Sequence, residues 1–442
     1  MLEIINFYLS GVLVPSLLIA VGLYYCIRLK FFHVLKPFAV FRGLKSEKRG
    51  GVSSARAVTL ALAGTLGVGN IVGVSSAIHL GGFGAVFWMW ASALVAMILK
   101  YAEIVLAMKH KKSDGRGGTV GAAMYYIKDL FSTLGARRFG SMLAAAFAAL
   151  FLLTSLTMGS MLQSNAIAEA LEGVVGLPRV YVGAVLGVVI FFIIRSGTHS
   201  ISALTNVLVP IMSVGYAVMS AVVIFRGRAA LGDAFDAIFR SAFTPSAAAS
   251  GVGGYIFTKA VRYGIMRGLV SNEAGCGTAP TAHAIADCPS PAKQGMFGIF
   301  EVFVVTVVLC TMTALVVILG YGDASRFGGN YMMMTITAYA SGLGGYAAYF
   351  LCVAVLCFGF ATVLCWAHYG LTCVHYFKKN ALATRVFMLV YCGAIFVGAF
   401  APSELSWQLS DFSMGAMTVI NLICILLMSK DVKKQTEIYF EK

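Results

Sequence analysis

Long apolar runs dominate the chain, each ended by charge, glycine or proline. They lie near residues 7–27, 57–78, 84–108, 141–171, 180–194, 201–225, 264–286, 296–319, 345–373, 383–400 and 412–428. A helix needs about 20 apolar residues to cross the hydrocarbon core of a membrane. The pattern therefore predicts an all-α polytopic membrane protein with about eleven transmembrane helices, because helices satisfy their own backbone groups in lipid. Residues 119–130, parts of 247–262 and 331–341 read as short amphipathic helices on the membrane surface. The first run is too long for the apolar part of a cleaved signal, and its basic residues follow rather than precede it.

Two of the runs are interrupted. The second contains Gly64-Thr65-Leu66-Gly67-Val68-Gly69-Asn70-Ile71-Val72-Gly73, and the seventh contains Ser271-Asn272-Glu273-Ala274-Gly275-Cys276-Gly277-Thr278-Ala279-Pro280. Each glycine inside a helix costs about 1 kcal/mol relative to alanine. Several together, beside polar side chains, mark a place where a helix breaks, and a break at membrane depth is tolerated only where backbone lines a cavity. Gly-interrupted helices at corresponding places in two halves point to a secondary-transporter binding site. The expected organisation is an extra N-terminal helix and basic loop (1–56), a core (57–428) of two five-helix inverted repeats near 57–225 and 251–428, and a tail (429–442). The interrupted helix comes first in each repeat.

Composition agrees with the pattern. Charged residues are 12% of the chain and hydrophobic residues 59%, against about 25% charged in a soluble domain. The net charge of +15 would suggest nucleic acid in a soluble protein, but no basic module is present to bind it. Instead the basic residues collect in particular loops. Arg28, Lys30, Lys36, Arg42, Lys45, Lys48, Arg49 and Arg56 follow the first span. Lys109, Lys111, Lys112, Arg116, Arg137 and Arg138 follow the third, Lys378, Lys379 and Arg385 the ninth, and Lys430, Lys433 and Lys434 lie in the tail. All four groups fall on the cytoplasmic side of an inner membrane if the N-terminus is outside and the C-terminus inside. Arg226, Arg228 and Arg240 fall on the other side. The ten cysteines are scattered through apolar segments without a CxxC pair, which predicts no disulfide framework and no zinc site.

Most polar residues in the runs admit two readings. Gly67, Gly69 and Gly73 could serve helix packing, but packing does not require the amide of Asn70 in their midst. Glu273 is either functional or an acceptor for backbone N–H groups freed by the break. Glu103, three residues after Lys100, reads as an i,i+3 ion pair near the cytoplasmic surface. Trp88 and Trp90 read as anchors at the membrane interface. Gln163, Asn165, Thr362 and Trp366 fit either a site or ordinary interhelical contacts. No catalytic triad, phosphate loop or His-rich metal spacing occurs, so no enzyme is predicted and no cofactor is implied.

At these segments the chain resembles the alanine or glycine:cation symporter family. The resemblance is carried by Gly64–Ile78 with Gly81-Gly82-Phe83-Gly84, Phe87-Trp88-Met89-Trp90, Lys100-Tyr101-Ala102-Glu103 and Met124-Tyr125-Tyr126-Ile127. It continues through Ser271–Pro280, Ala282-His283-Ala284, and Thr362 with Trp366-Ala367-His368-Tyr369-Gly370. It implies a neurotransmitter-symporter-like inverted-repeat core and sodium-coupled uptake of alanine or glycine. It further implies that Gly69, Asn70, Gln163, Gly275, Gly277, Thr278 and Trp366 bind the amino acid. Thr65, Asn70 and Thr362 would bind sodium, the only metal expected. Val68 and Ala361 stand where the family often has Thr and Ser, which removes a hydroxyl at each place. A proton-coupled carrier, or a carrier of serine or glutamine, remains the alternative. Expected partners are the small neutral amino acid, sodium and the lipid bilayer; oligomeric state is left open.

Overall fold

A computed structural model describes residues 2–44, 52–113, 119–243, 251–327 and 329–441. Lys45, Lys48, Arg49 and Arg116, and the start of the expected surface segment at 247–262, lie outside these residues. Among the described residues, eight helices are long and apolar enough to cross a membrane. They are α1 (Leu2–Arg28), α4 (Gly84–Lys109), α6 (Arg137–Val175), α8 (Ile201–Arg226, the apolar part of Thr198–Arg226), α12 (Pro291–Leu319), α14 (Tyr346–Phe377), α15 (Ala381–Phe400) and α16 (Glu404–Leu427, continuous with Ser403).

The remaining expected spans differ for visible reasons. One is α7 (Arg179–Arg195), which has only 17 residues. The second span is two pieces, α2 (Ser54–Thr65) and α3 (Val72–Gly81), with a single turn of tighter helix at Val68–Asn70 between them. The seventh is α10 (Gly251–Asn272), a non-helical turn, and then the short α11 (Ala279–His283). Helix α10 therefore begins thirteen residues before the expected span at 264, and residues 251–262 belong to it rather than to a surface helix. Helices also occupy the other two segments, as α5 (Ala123–Thr133) and α13 (Tyr331–Leu343), although Thr119–Val120 is a short strand paired with Lys112–Ser113 rather than the start of α5. Among helices that were not expected, the longest before the tail is α9 (Leu231–Phe243), whose Ala234, Ile238 and Ala242 are buried. The tail is a helix, α17 (Ser429–Phe440).

The α4 helix is the central post. Twenty of its 26 residues are buried, and apart from Ser92, Lys100 and Glu103 these are apolar or glycine on every face, as in a helix surrounded by protein. It packs against α10 and α12 through glycines. A Cβ on Gly264 would meet Trp88 Cβ at 2.7 Å, and one on Gly295 would meet Tyr101 Cδ2 at 2.6 Å. The expected belt tryptophans are half-buried here, and the Trp90 indole donates to Thr311 Oγ1 at 2.7 Å.

The basic loops share one end of the bundle. Lys109 pairs with Asp431 of the tail at 2.7 Å. Lys36, after the first span, lies over the Phe440 ring, and Lys112 and Lys379 line the same cavity.

Gly84 opens α4 against the backbone of α9, where an added Cβ would lie 2.6 Å from Ser241 O and Ala242 N. Backbone cannot yield as a side-chain tip can. Gly84→Ala should cost about 1–3 kcal/mol, read as a lowered melting temperature of the detergent-purified protein. An unchanged melting temperature would show that α9 is not held against this end of α4.

Candidate functional site

The two helix breaks meet side by side. Asn70, at the end of the first break, accepts from the Ser271 hydroxyl at 2.5 Å and from the Cys310 thiol at 3.3 Å. Its amide nitrogen donates to the Thr65 carbonyl at 2.6 Å. That carbonyl has no helical partner because α2 stops there, so Asn70 serves as a side-chain cap for a broken helix. The amide in the glycine run thus has a local cause, which a packing motif would not supply.

Two further helices close on the first break. Gln163 of α6 accepts from the Val68 N–H at 3.0 Å and donates to the Met158 carbonyl at 3.1 Å. The Met158 carbonyl belongs to a wide helical turn over Thr157–Met161. On α14, the Thr362 hydroxyl donates to Ala63 O at 2.9 Å, and one turn on the Trp366 indole donates to Gly64 O at 3.3 Å. Gly67 lies between these helices: a Cβ there would stand 2.9 Å from Gln163 Oε1 and 3.0 Å from Thr362 Oγ1. Thr65, Gly67, Asn70, Gln163, Thr362 and Trp366 are therefore one cluster. Gly69 is next to it, its absent Cβ 3.3 Å from Val270.

Gly275, Gly277 and Thr278 form the second break. Glu273, Gly275 and Gly277 take positive φ angles of 54°, 85° and 80°. Glycine adopts these freely, whereas the left-handed form costs about 1–2 kcal/mol for a glutamate. The Gly277 N–H donates to Glu103 Oε1 at 2.8 Å, and the Asn421 amide donates to the same oxygen and to Gly275 O. Tyr126 donates to Asn421 Oδ1. Thr278 donates to Glu273 Oε2 at 2.7 Å, and the Ala274 N–H goes to Asn272. Freed backbone N–H groups are thus taken by Glu103 and Asn272, not by Glu273. The row Phe147, Phe151, Trp366 leads from Gly277 to the first cluster through edge contacts of 6.0 and 5.9 Å.

Lys100 and Glu103 do not pair near the surface, as the spacing had suggested. Both are fully buried. Lys100 donates to Glu301 at 2.7 Å and to the Asn272 carbonyl that ends α10, also at 2.7 Å. Glu301 accepts as well from Thr65 Oγ1 at 2.9 Å and faces His283 Nε2 at 3.2 Å. Asn165 takes the plain alternative, donating to the Gly398 and Ala401 carbonyls. Neither Glu301 nor Asn421 stood out in the sequence as a partner. An acid or amide in an apolar run was the available signal, and both Glu301 and Asn421 carried it.

Two openings flank this centre. A cavity of about 740 Å³ at the basic end is lined by Lys112, Tyr125, Thr281, His368, Thr372 and Lys379, among others. On the other side, a narrow cleft runs between Val68, Asn165, Tyr331 and Trp407. Arg267 lies over the Trp407 ring, 4.0 Å from its centre, and 3.3 Å from Asp411.

A helical membrane protein whose two broken helices meet between flanking openings is built as a secondary transporter. The comparisons give its family: the chain matches the sodium:alanine symporter family over residues 1–442 and belongs to it. It is 33% identical to the sodium/alanine symporter AgcS of Methanococcus maripaludis, over 99% of this chain and 96% of that one. It is 34% identical to the probable sodium/glutamine symporter GlnT of Bacillus subtilis, over 97% and 88%. Among solved structures, it shares its fold with a sodium-coupled sialic acid symporter in a substrate-bound outward-open state. The TM-score is 0.56 at 13% identity, covering 95% of this chain and 86% of that one. The manganese transporter of Eremococcus coleocola gives 0.52 at 13% identity, over 83% and 75%.

Removing one member of a buried ion pair leaves the other charge unpaired, at about 3–5 kcal/mol. Lys100→Met should therefore lower the melting temperature strongly, and adding Glu301→Gln should restore much of the loss. Equal instability of single and double variants would show that the pair does not act as a unit.

Proposed function

We propose that this protein is a sodium-coupled symporter that imports a small neutral amino acid, alanine or glycine, by alternating access. The carrying observation is the direct contact of the two breaks at Asn70 and Ser271, inside a cage closed by Gln163, Thr362 and Trp366. The order of elements supports two five-helix repeats, one from α2/α3 to α8 and one from α10/α11 to α16, within a bundle of about eleven spans. The shared basic end of the bundle supports a cytoplasmic C-terminus and an outside N-terminus in the inner membrane.

In this reading Gly69, Asn70, Gln163, Gly275, Gly277, Thr278 and Trp366 contact the amino acid. The start of α3 offers N–H groups and a positive dipole end to its carboxylate. Gly277 joins only when Glu103 releases its N–H. Thr65, Asn70 and Thr362 supply oxygen to sodium, the ligand type such a hard cation takes. The Ala63 and Gly64 carbonyls stand beside Thr362 and Trp366. Small size of the substrate is supported by the buried Val68, Ile71, Met158 and Trp366 around the break. Discrimination in such a pocket runs to about 1–3 kcal/mol per methylene. Both ends of the Gln163 amide are already bonded within the protein, which favours this reading over one in which Gln163 reads a glutamine side chain. Serine, glutamine and proton coupling are the alternatives, separated when serine and glutamine are among the competitors below and a proton gradient replaces the sodium gradient in a parallel arm.

That experiment is uptake of labelled alanine into proteoliposomes, with and without a sodium gradient, competed by unlabelled amino acids. Sodium-dependent uptake blocked by glycine and alanine, and much less by leucine or glutamate, is expected. Equal block by leucine or glutamate would reject the small neutral substrate. Thr362→Ala removes one hydroxyl and leaves the carbonyls in place. It should raise the sodium concentration for half-maximal uptake about tenfold, equivalent to about 1.4 kcal/mol, with less change in alanine affinity. A shift confined to alanine would move Thr362 from the cation to the amino acid.

A further inference from the structure

The second break holds more negative than positive charge. Glu103, Glu273 and Glu301 are each at most 1% exposed, and Lys100 is the buried ammonium among them. Lys100 is committed to Glu301 and the Asn272 carbonyl. The remaining basic group in contact is His283, which faces Glu301. Even a charged His283 would leave one carboxylate without a counter-charge. A buried, unpaired carboxylate is costly unless a cation or a proton joins it.

Geometry singles out Glu273. Its Oε2 accepts from Thr278, but its Oε1 is buried with no hydrogen-bond partner. Lys100, Thr278 and Glu301 lie close to the carboxylate, and so does the Trp366 indole, whose N–H is directed to the Gly64 carbonyl of the first break and leaves Oε1 without a bond of proper geometry. Glu273 is held there by a left-handed backbone that serves no backbone N–H. Glu103 also leaves one buried oxygen, Oε2, without a partner, but its Oε1 accepts from both the Gly277 N–H and the Asn421 amide, whereas among the described residues the only side-chain bond Glu273 accepts is from Thr278.

We propose that Glu273 is the anionic ligand of a second monovalent-cation site at this break, separate from the uncharged oxygens at Thr65 and Thr362. The occupant is sodium or a proton, since either would neutralise the open oxygen. The proposal rests on the symporter reading for the cation's role in transport, but not for its binding.

The test uses the full chain, purified in detergent. Bound ²²Na⁺ is counted without amino acid, and proton uptake on adding alanine is followed with a pH indicator. If sodium is the occupant, Glu273→Gln binds one sodium fewer than the unmodified protein, while Thr362→Ala weakens the other. If a proton is the occupant, sodium counts are equal, and the unmodified protein takes up one proton that Glu273→Gln does not. Unchanged sodium and proton counts in a monodisperse Glu273→Gln overturn the proposal. Should that variant not fold, Glu273→Asp, with the charge withdrawn by one methylene, should weaken the affected ion at least tenfold; unchanged affinity for both ions overturns the proposal equally. Sodium binding needs no amino acid. A protein that loses a sodium at Glu273 yet takes up no alanine would keep the cation site and lose only the alanine reading.

Discussion

The buried carboxylate of Glu301 ties the breaks together. It accepts from Thr65 where α2 stops, from Lys100 on the central post, and faces His283 where α11 stops. Through Lys100 it also holds the last carbonyl of α10. Two of the four helix ends at the breaks, together with the far end of α11, therefore meet at one side chain or its partner. Ions at this depth persist only with full hydrogen bonding, so the positions of these ends are mutually set. No end can move alone without stranding a charge or a dipole.

Glycine makes that convergence sterically possible. Lys100 can reach α10 and α12 because Gly298 lets α12 lie against it: a Cβ there would meet Lys100 Cγ at 3.3 Å. Gly159 does the same for Trp366, where an added Cβ would lie 2.6 Å from the indole Cγ. The small residues thus bring the polar centre together, and the polar centre fixes where the close approaches must fall.

The breaks were legible in the sequence because their signal is local. Glycines beside Asn70 and Glu273 interrupt an apolar run, and the chain breaks at those places. The partners were not legible, since pairing across the chain leaves no local trace. Lys100 and Glu103 show an i,i+3 spacing, yet they answer to Glu301 and Asn421, 201 and 318 residues away. Gln163 and Asn165 look alike in sequence; two residues apart on a helix they face different neighbours, one the break and the other α15. Helix α9 escaped notice because only three of its thirteen residues are buried, too sparse a stripe to resemble a span.

The cage also explains how binding can be coupled to movement. Asn70 uses both ends of its amide, on Thr65, Ser271 and Cys310. Gln163 uses both of its ends, and the Gly277 N–H is taken by Glu103. Separating the two breaks from each other would strand Asn70 and Ser271, and separating them from α4, α6 and α12 would strand Glu103, Gln163 and Cys310, each at about 1–3 kcal/mol. A ligand with a carboxylate, an ammonium and a companion cation can replace such bonds group for group, whereas an apolar molecule of the same size cannot. A ligand shifts a conformational equilibrium only by its differential affinity for the two states. In the proposed transport cycle that difference is the set of polar contacts the breaks lose when they part from each other and from their neighbours, so selectivity for a charged but neutral-overall solute and the capacity to move it would have the same physical origin.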